Sequence, residues 1–277
     1  MVSTRLRERT VVDFGEQWTH YTDNVGWYGS VALLEDVFGP LLDLSQISGR
    51  RVAEIGSGTG RIVHMLLEAG AAHVTAIEPS EAFAVLVANT GGHADRVRCL
   101  RLPGERLPAD GFDYVFAVGV LHHIPEPRPV VAAAFRALRP DGVLAVWLYG
   151  REGNELYLHL VRRLRAVTTR LPHALLAALA WALTIGLSAY SAAARFLPLP
   201  LRGYMRQVVV RLGLRKRQLV VYDQLNPAYA KYYGREEARQ LLAAAGFVDV
   251  RLHHRHGYSW AVVGRKPLAD GRDAAGR

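Results

Sequence analysis

Short apolar runs alternate with longer segments of helical periodicity between residues 51 and 148. Runs of this length without alternating polar positions are typical of strands buried on both faces of a parallel sheet. Parallel neighbours need crossover connections, and the intervening helical patterns can supply them. The pattern predicts strands at 51–55, 73–77, 97–101, 113–118 and 143–148, and helices at 60–69, 80–90 and 129–138.

The pattern resumes near the C-terminus. Residues 234–246 predict a helix that ends at glycine, and residues 248–252 and 258–263 predict two strands paired as an antiparallel hairpin. An apolar segment of helical spacing at 31–38 precedes the first strand. The chain is therefore predicted to be an α/β protein with a mostly parallel sheet.

Residues 171–194 carry no formal charge over 24 residues, with arginines on both sides. As a helix this stretch would be about 36 Å long, enough to cross a bilayer. A span would separate the strands before it from the strands after it, so we predict a helical cap instead. Three interpretations stay open: a buried cap over the substrate site, a cap that also rests on a membrane surface or binds a lipid-like substrate, and a true span.

These patterns divide the chain into segments, and charge distinguishes one of them. The net charge is +9, but residues 151–217 contain twelve Lys/Arg and two acids, a net +10, so the remainder is near neutral. This argues for one basic region with its own role. The predicted segments are an N-terminal helical lid (1–47), a core (48–150), a helical cap insertion (151–221), a completion of the core sheet (222–267) and a tail (268–277).

Composition narrows the cellular setting. Half of the 277 residues are apolar, which supports a sizeable core. Cys99 is the single cysteine, so an internal disulfide is excluded and a reducing compartment is favoured. With no secretory signal expected, we predict a cytoplasmic protein, with peripheral attachment to the inner face of a membrane as the alternative.

A glycine-rich turn follows the first predicted strand. Gly56, Gly58 and Gly60 lie between the apolar run and a predicted helix start, and Glu78 follows Gly60 by 18 residues at the end of the second run. Glycine lets the backbone approach a ligand closely, and a helix N-terminus favours an anionic group. An acid in the later position can accept hydrogen bonds from ribose hydroxyls. The spacing indicates a nucleoside-cofactor site at the carboxyl edge of the sheet.

With Glu54 before the first glycine, the turn reads E-x-G-x-G-x-G. This turn and the segments 107–116, 120–125 and 137–144 resemble, in order and spacing, the motifs of class I S-adenosylmethionine (SAM)-dependent methyltransferases, in particular the branch acting on small molecules. The resemblance implies a Rossmann-like fold: a seven-stranded, mostly parallel sheet with an antiparallel C-terminal hairpin, here with a helical cap insertion. It also implies SAM as the cofactor. It does not cover residues 151–221.

The resemblance implies which residues hold SAM. Backbone N–H groups of the turn would bind its carboxylate, Glu54 its ammonium and Glu78 its ribose diol. Relatives commonly carry an acid near the adenine amino group, where this chain has Pro103. Adenine is therefore expected to contact the backbone around Gly104, with Glu105 as a second choice. The predicted cofactor residues are Glu54, Gly56, Ser57, Gly58, Thr59, Gly60, Glu78, Pro79, Gly104, Glu105 and Gly119.

Methyl transfer from a sulfonium is an in-line displacement, so the protein mainly aligns the nucleophile and excludes water. A base helps where the acceptor is a hydroxyl. His122 and His123 follow the fourth strand, where the methyl group should lie, and either is a candidate base; alternatively they order the turn. No metal site is predicted. The predicted acceptor-binding residues, for which packing under the cap is the alternative, are Gln17, Trp18, Tyr149, Asp223, Asn226, Tyr232 and Tyr258.

The sequence therefore predicts methyl transfer to a small or lipid-like acceptor, with oxygen as the favoured atom. The alternative is a SAM-binding scaffold or sensor without catalysis, docking on a membrane or partner through its basic cap. A nicotinamide enzyme would need its third glycine one residue later than Gly60. Residues 118–123 lack the Asn/Asp-Pro-Pro-aromatic motif of base amino-methyltransferases, which argues against DNA amino-methylation. RNA stays open through the basic insert, but its arginines are not interleaved with aromatic residues as stacking platforms, so nucleic acid is not the expected partner.

Overall fold

A seven-stranded sheet organises the protein, of which the computed structural model describes residues 2–268. Its strands are β1 (Arg51–Ile55), β2 (His73–Ile77), β3 (Val97–Leu100), β4 (Phe112–Val118), β5 (Leu138–Tyr149), β6 (Val248–Arg255) and β7 (Ser259–Arg265). Their order across the sheet is β3-β2-β1-β4-β5-β7-β6. The first five are parallel, and β7 runs antiparallel to both β5 and β6. The predicted Rossmann-like sheet with a C-terminal hairpin is confirmed.

Ten α-helices are found within residues 2–268. They are α1 (Val2–His20), α2 (Val31–Phe38), α3 (Arg61–Glu68), α4 (Phe83–Thr90), α5 (Arg128–Ala137), α6 (Glu155–Thr168), α7 (His173–Ala193), α8 (Arg202–Gln207), α9 (Leu214–Leu225) and α10 (Arg235–Ala243). Residues 1–47 were predicted to be a helical lid, but the bounds of α1 within it were not, because its charged sequence lacks a strong apolar periodicity. Strand β5 begins five residues before the predicted 143, since the chain passes directly from α5 into the sheet.

Both faces of the sheet are covered, as expected for parallel strands. On β1, Val52 packs into the core on one face, and Ala53 and Ile55 pack into the core on the other. This is why the run has no polar alternation: every side chain from Val52 to Ile55 is buried. The carboxyl edge of the sheet is therefore supported by a hydrophobic core on each face.

Helices α6–α9 form a cap between β5 and β6 in the chain. Because β5 and β7 pair in one sheet, the segments before and after the cap lie on the same side of it. Helix α7 is the one helix of the described chain that is long and apolar enough to cross a membrane, but its Leu176 and Ala180 are buried in a cluster with Tyr222 of α9. The predicted boundary at 221 falls within α9. Residues 269–277 of the predicted tail lie outside the described residues.

A buried ion pair ties the C-terminal hairpin to α2. Arg255 is 3% exposed and its Nε donates to Asp36 Oδ2 at 2.8 Å, while His256 Nε2 lies 2.9 Å from Asp36 Oδ1. Burial by itself would raise the pKa of Asp36, but the Arg255 guanidinium outweighs burial and holds the pKa below its usual value. The ion pair therefore contributes its full stabilisation at pH values above the ordinary pKa of an aspartate. This contribution is lost as the pH falls through the lowered pKa of Asp36.

Asp36→Asn is expected to destabilise the protein by about 3 kcal/mol, because it leaves the buried Arg255 guanidinium without its counter-charge. Urea unfolding at pH 7 measures this. Glu35→Gln on the exposed side of the same helix is the matched control and should change stability by less than about 0.5 kcal/mol. Equal midpoints for the two variants would contradict the assignment.

Candidate functional site

One continuous cavity of about 510 Å³ lies at the carboxyl edge of the sheet. Strand ends meet there, as predicted for an open parallel sheet. Helix α1 covers one side and the cap covers another. The lining includes Glu54, Gly56, Ser57, Gly58 and Thr59 after β1, Glu78 and Pro79 after β2, Pro103 and Gly104 after β3, Gly119 and His123 after β4, and Tyr149 at the end of β5.

Glu54 is a buried acid with an unused acceptor. Its side chain is 1% exposed and lines the cavity. Within residues 2–268, its Oε2 has no hydrogen-bond partner. Burial raises the pKa of Glu54 to about 8, because desolvation disfavours the charged carboxylate. A buried acid in this state is stabilised by a cationic ligand, since an adjacent positive charge would favour ionisation.

The glycine turn brings the backbone close to its neighbours. Gly56 has φ +74°, and a Cβ added there would lie 2.5 Å from Val120 Cγ2. Gly58 has φ +51° and faces the indole of Trp18 on α1, whose Nε1 would be 3.4 Å from an added Cβ. Both positions therefore favour glycine for their left-handed conformation, and Gly56 favours it for space as well.

The expectation that the N–H groups of this turn bind a ligand carboxylate needs correction. Gly56 and Ser57 both donate to the Ile77 carbonyl, at 2.8 and 2.9 Å. The N–H of Gly60 donates to Ser57 O, and that of Gly58 donates to Glu78 Oε2. These donors hold the turn against the end of β2. Gly60 caps α3 in a left-handed conformation and is not among the cavity-lining residues.

A guanidinium that the sequence reasoning missed lies beside this turn. Arg61 lines the cavity and stacks on Tyr28, 4.4 Å from the ring centroid. Its Nη1 donates to the Tyr28 carbonyl at 3.3 Å. It is the first residue of α3. Arginine favours carboxylate partners, so Arg61 is better suited to an anionic group than the turn amides are.

Glu78 is fixed by two backbone donors. Its Oε2 accepts from the Gly58 N–H at 2.8 Å, and its Oε1 accepts from the Ser80 N–H at 2.9 Å. The carboxylate lines the cavity, so its remaining lone pairs can accept from a ligand hydroxyl.

Glu105 does not line the cavity, contrary to its prediction as a second adenine contact. Its carboxylate is bound by Arg7 of α1, with Nη2 2.6 Å from both oxygens. Pro103 and Gly104 do line the cavity. The contact of adenine with the backbone near Gly104 stays a prediction. The Arg7 pair instead joins α1 to the loop after β3.

The two candidate histidines have different surroundings. His122 is fully buried, stacks on Tyr149 with ring centroids 3.8 Å apart and does not line the cavity. His123 lines the cavity, and its Nδ1 lies 2.9 Å from the Tyr229 carbonyl. Because a carbonyl only accepts, Nδ1 carries the hydrogen and Nε2 remains an acceptor. The geometry therefore favours His123 over His122 as a ligand-facing group.

A chain of hydrogen bonds, here called the Asp223 network, lies where α1, β5 and α9 meet. Asp223 Oδ2 accepts from Tyr149 OH at 2.8 Å, and Asp223 Oδ1 accepts from Gln17 Nε2 at 3.0 Å. Gln224 Nε2 donates to Tyr149 OH at 2.9 Å, and Gln224 Oε1 accepts from Tyr232 OH at 3.1 Å. Sequence reasoning missed Gln224, which joins the two tyrosines.

The predicted acceptor residues separate into lining and supporting groups. Five of them line the cavity, namely Trp18, Tyr149, Asp223, Tyr232 and Tyr258. Gln17 and Asn226 do not: Asn226 Nδ2 donates to Gln17 Oε1 at 3.0 Å, and Gln17 in turn holds Asp223. Within the described chain, no group of three or more His, Cys, Asp or Glu side chains could hold a metal ion.

Comparison with known proteins identifies the domain class. Residues 53–144 match the family model of a methyltransferase domain. With the sheet order and the motif order above, the chain contains a class I SAM-dependent methyltransferase domain, as predicted, and SAM is the cofactor of that class. The residues present fit it, because Glu54 offers an unpaired buried acceptor and Glu78 a fixed carboxylate in one cavity.

Two curated relatives are tRNA U34 carboxymethyltransferases. The protein from Shewanella halifaxensis is 34% identical over 116 residues, covering 40% of this chain and 35% of its own length. The protein from Chromohalobacter salexigens is 36% identical over 118 residues, with the same coverages. The match therefore spans about a third of the relatives' length.

Solved structures share the fold at low identity. The pyocyanin biosynthetic protein PhzM aligns with TM-score 0.52 at 15% identity, covering 85% of this chain and 55% of PhzM. A putative methyltransferase from Bacillus halodurans aligns with TM-score 0.51 at 14% identity, covering 82% of this chain and 99% of that protein. These likenesses concern the fold alone.

Proposed function

We propose that this protein is a SAM-dependent methyltransferase that methylates a small, amphipathic or lipid-like acceptor, with oxygen as the favoured atom. The observation that carries the proposal is the single cavity, in which the glycine turn and Glu78 are continuous with the Asp223 network and with an apolar chamber under the cap. A cofactor and an acceptor molecule can therefore lie next to each other in the same cavity.

Each side chain around the turn has a task in this proposal. Glu54 accepts from the ammonium of SAM, Arg61 pairs with its carboxylate, and Glu78 accepts from the ribose hydroxyls. The backbone near Gly104 faces the adenine. Trp18, on a helix that packs over the turn, excludes water, which is the lid role expected for the N-terminal segment. When bound, SAM supplies an activated methyl group from its sulfonium.

The cavity has a polar part and an apolar part, which suit the two ends of an amphipathic acceptor. The Asp223 network offers hydroxyl, amide and carboxylate groups to a polar end, and the far chamber is lined by apolar cap side chains such as Leu187, Met205 and Val208. Transfer of the methyl group to the acceptor oxygen would break the carbon–sulfur bond and leave its electron pair on sulfur, and the hydroxyl proton would pass through the His123 Nε2 hydrogen bond to water. His123 Nε2 accepts the hydrogen bond of that hydroxyl and orients the oxygen.

The tRNA-modifying relatives do not carry a tRNA acceptor over to this chain. The family-model match ends at residue 144, before the cap begins. Leu187, Met205 and Val208 of the cap line the cavity, and these apolar side chains favour an acceptor with an apolar end over a nucleotide. Unmodified tRNA is therefore the natural negative control in an acceptor screen.

Titration calorimetry with SAM and S-adenosylhomocysteine, followed by a methyl-transfer screen, tests the proposal. The screen measures labelled methyl from SAM in products formed from a total lipid extract, hydroxylated small aromatics and tRNA. We expect binding of both nucleosides and labelling of an organic-extractable product. Binding without turnover on any acceptor would favour the alternative, a SAM-binding scaffold or sensor. Labelling of tRNA alone would overturn the small-acceptor proposal.

Glu54 makes SAM binding pH-dependent. With a pKa raised by burial to about 8, Glu54 is mostly protonated at pH 7 before the ligand binds. An ammonium beside it favours the carboxylate, so binding should release about one proton, and affinity should rise up to about tenfold per pH unit between pH 6 and 7. Calorimetry in buffers of different ionisation enthalpy measures the number of protons released when SAM binds.

Glu54→Gln is the matched variant for this measurement. It keeps the shape of the side chain but removes the ionisable group, so proton release should vanish and SAM should bind more weakly. An unchanged proton count in the variant would show that another group titrates. The ligand-free variant is expected to fold, because the native side chain is already neutral at pH 7.

A further inference from the structure

Helix α7 has its apolar side outward. Apolar side chains spaced three and four residues apart along one face of the helix are exposed to solvent. Among them, Ile185 is 72% exposed and Leu175 is 58% exposed. This face is called the α7 stripe. It consists of Leu175, Ala178, Trp181, Ala182, Ile185, Ala189 and Ala192. A surface helix of a globular protein normally presents polar side chains on this face.

The polar side chains of α7 point inward instead. Thr184 is fully buried and donates to the Ala180 carbonyl at 2.6 Å. Ser191 is buried as well, and Ser188 accepts from Arg217 Nη1 at 3.1 Å. The helix therefore already has its polar contacts inside the protein, and its solvent side is a continuous apolar surface. Patches of this kind mark interaction sites.

Arginines flank the α7 stripe at both ends. Arg170 precedes the helix and Arg195 follows it, and both are exposed. The cap segment 151–217 contains twelve basic residues against two acids. Phe196, 82% exposed, extends the apolar surface beyond the C-terminal end of the helix. An apolar face flanked by arginines is the composition of a helix that lies in the plane of an anionic membrane.

The same charges disfavour a second copy of the chain as the occupant. A two-fold interface brings the same patch of two subunits together. Two α7 stripes would bring arginine-rich surfaces together with few acids to pair them, and like charges facing each other are unfavourable. Anionic lipid headgroups supply the missing negative charge, and acyl chains cover the apolar residues.

The cavity opens beside this surface. Leu160 and Leu164 of α6 and Leu183 of α7 line the cavity and are also exposed, by 61%, 36% and 39%. Apolar side chains around a cavity entrance are unfavourable when they face water. A mouth set against a bilayer would admit an apolar molecule without passing it through water.

We propose that the cap docks on an anionic bilayer through the α7 stripe, and that the acceptor enters the cavity from the bilayer between α6 and α7. The route of entry rests on the proposed function, whereas the docking does not. The helix lies along the surface, held by α9 beneath it, and does not cross the membrane.

Flotation of the full chain with vesicles tests the docking. Vesicles of phosphatidylcholine alone are compared with vesicles containing about one third phosphatidylglycerol. We expect binding to the anionic vesicles, weakened by salt, and little binding to the neutral ones. Ile185→Asp combined with Phe196→Asp should reduce binding at least about tenfold, because it places two charges on the inserted face. Val12→Asp on α1, also well exposed, is the matched control and should bind as the native chain does.

SAM calorimetry on the same variants separates the two proposals. Unchanged SAM affinity with lost flotation supports docking by the stripe. Equal flotation of the native and doubly substituted chains, or no flotation of the native chain, would overturn the docking whatever the SAM result. A native chain that elutes as a dimer, becomes a monomer on substitution and never floats would assign the face to a second copy. Flotation without SAM binding would overturn the proposed function and leave the docking intact.

Discussion

Replacing Glu78 with alanine should weaken SAM binding by about 100-fold, equivalent to ~2.7 kcal/mol. The carboxylate is held by the N–H groups of Gly58 and Ser80, and it lines the cavity. Removing it loses the acceptor of the ribose hydroxyls, and it also leaves two buried donors without their partner, each of which carries a desolvation cost. Titration calorimetry with SAM measures the loss.

Two further variants make the result specific. Glu81→Ala removes an exposed acid three residues away that pairs with Arg101, and its SAM affinity should be unchanged. Glu78→Gln keeps an oxygen acceptor and should lose less affinity than Glu78→Ala. Full affinity in a folded Glu78→Ala protein would remove Glu78 from the proposed cofactor site and would contradict the proposed orientation of SAM.

The sheet and the placement of Glu54 and Glu78 at its carboxyl edge could be predicted from sequence because their signals are local. The strand at Arg51–Ile55 has the predicted bounds, since a short run without polar alternation beside a glycine turn is typical of a buried parallel strand. Glu54 is the penultimate residue of β1 and Glu78 follows the last residue of β2, so their strand positions place both at one edge. The topology then brings these edges together without any further information.

The contacts that complete the cavity were not predictable, because they join residues far apart in sequence. Arg7 meets Glu105 across 98 residues, and Gln17 meets Asp223 across 206. No pattern within either segment indicates the other. Glu105 was therefore assigned to adenine rather than to an ion pair, and Gln17 to the acceptor rather than to the support of Asp223.

The adjacent histidines show a finer limit of sequence reasoning. His122 and His123 occupy the same motif, and only their orientation separates them: one stacks on Tyr149 in the core and the other lines the cavity. In a short 3-10 turn, neighbouring side chains point in different directions. A motif can thus locate a functional turn without identifying which of its side chains faces the ligand.

His123→Ala should lower the rate of methyl transfer by about 100-fold while leaving SAM affinity unchanged, as expected for a group that assists proton removal and orients the acceptor. Burial lowers the pKa of His123 to about 4, since desolvation disfavours the imidazolium. The ring is therefore neutral above pH 5, and its contribution is lost only as pH falls through about 4. A base this weak acts chiefly by accepting the hydrogen bond that aligns the oxygen.

The measurement is the pH profile of labelled methyl transfer from SAM into the product formed from a total lipid extract, with SAM saturating at every pH because its affinity is itself expected to change through Glu54. In the native protein the His123 contribution should be constant from pH 5.5 to pH 8, and His253→Asn, which alters a half-buried histidine of β6 outside the cavity, should behave as native. A rate that falls with a midpoint near the ordinary histidine pKa of about 6.5 would mean that another group controls the step. A His123→Ala rate equal to the native rate would assign alignment of the acceptor to the Asp223 network, since Tyr149 lies beside His123 and donates to Asp223.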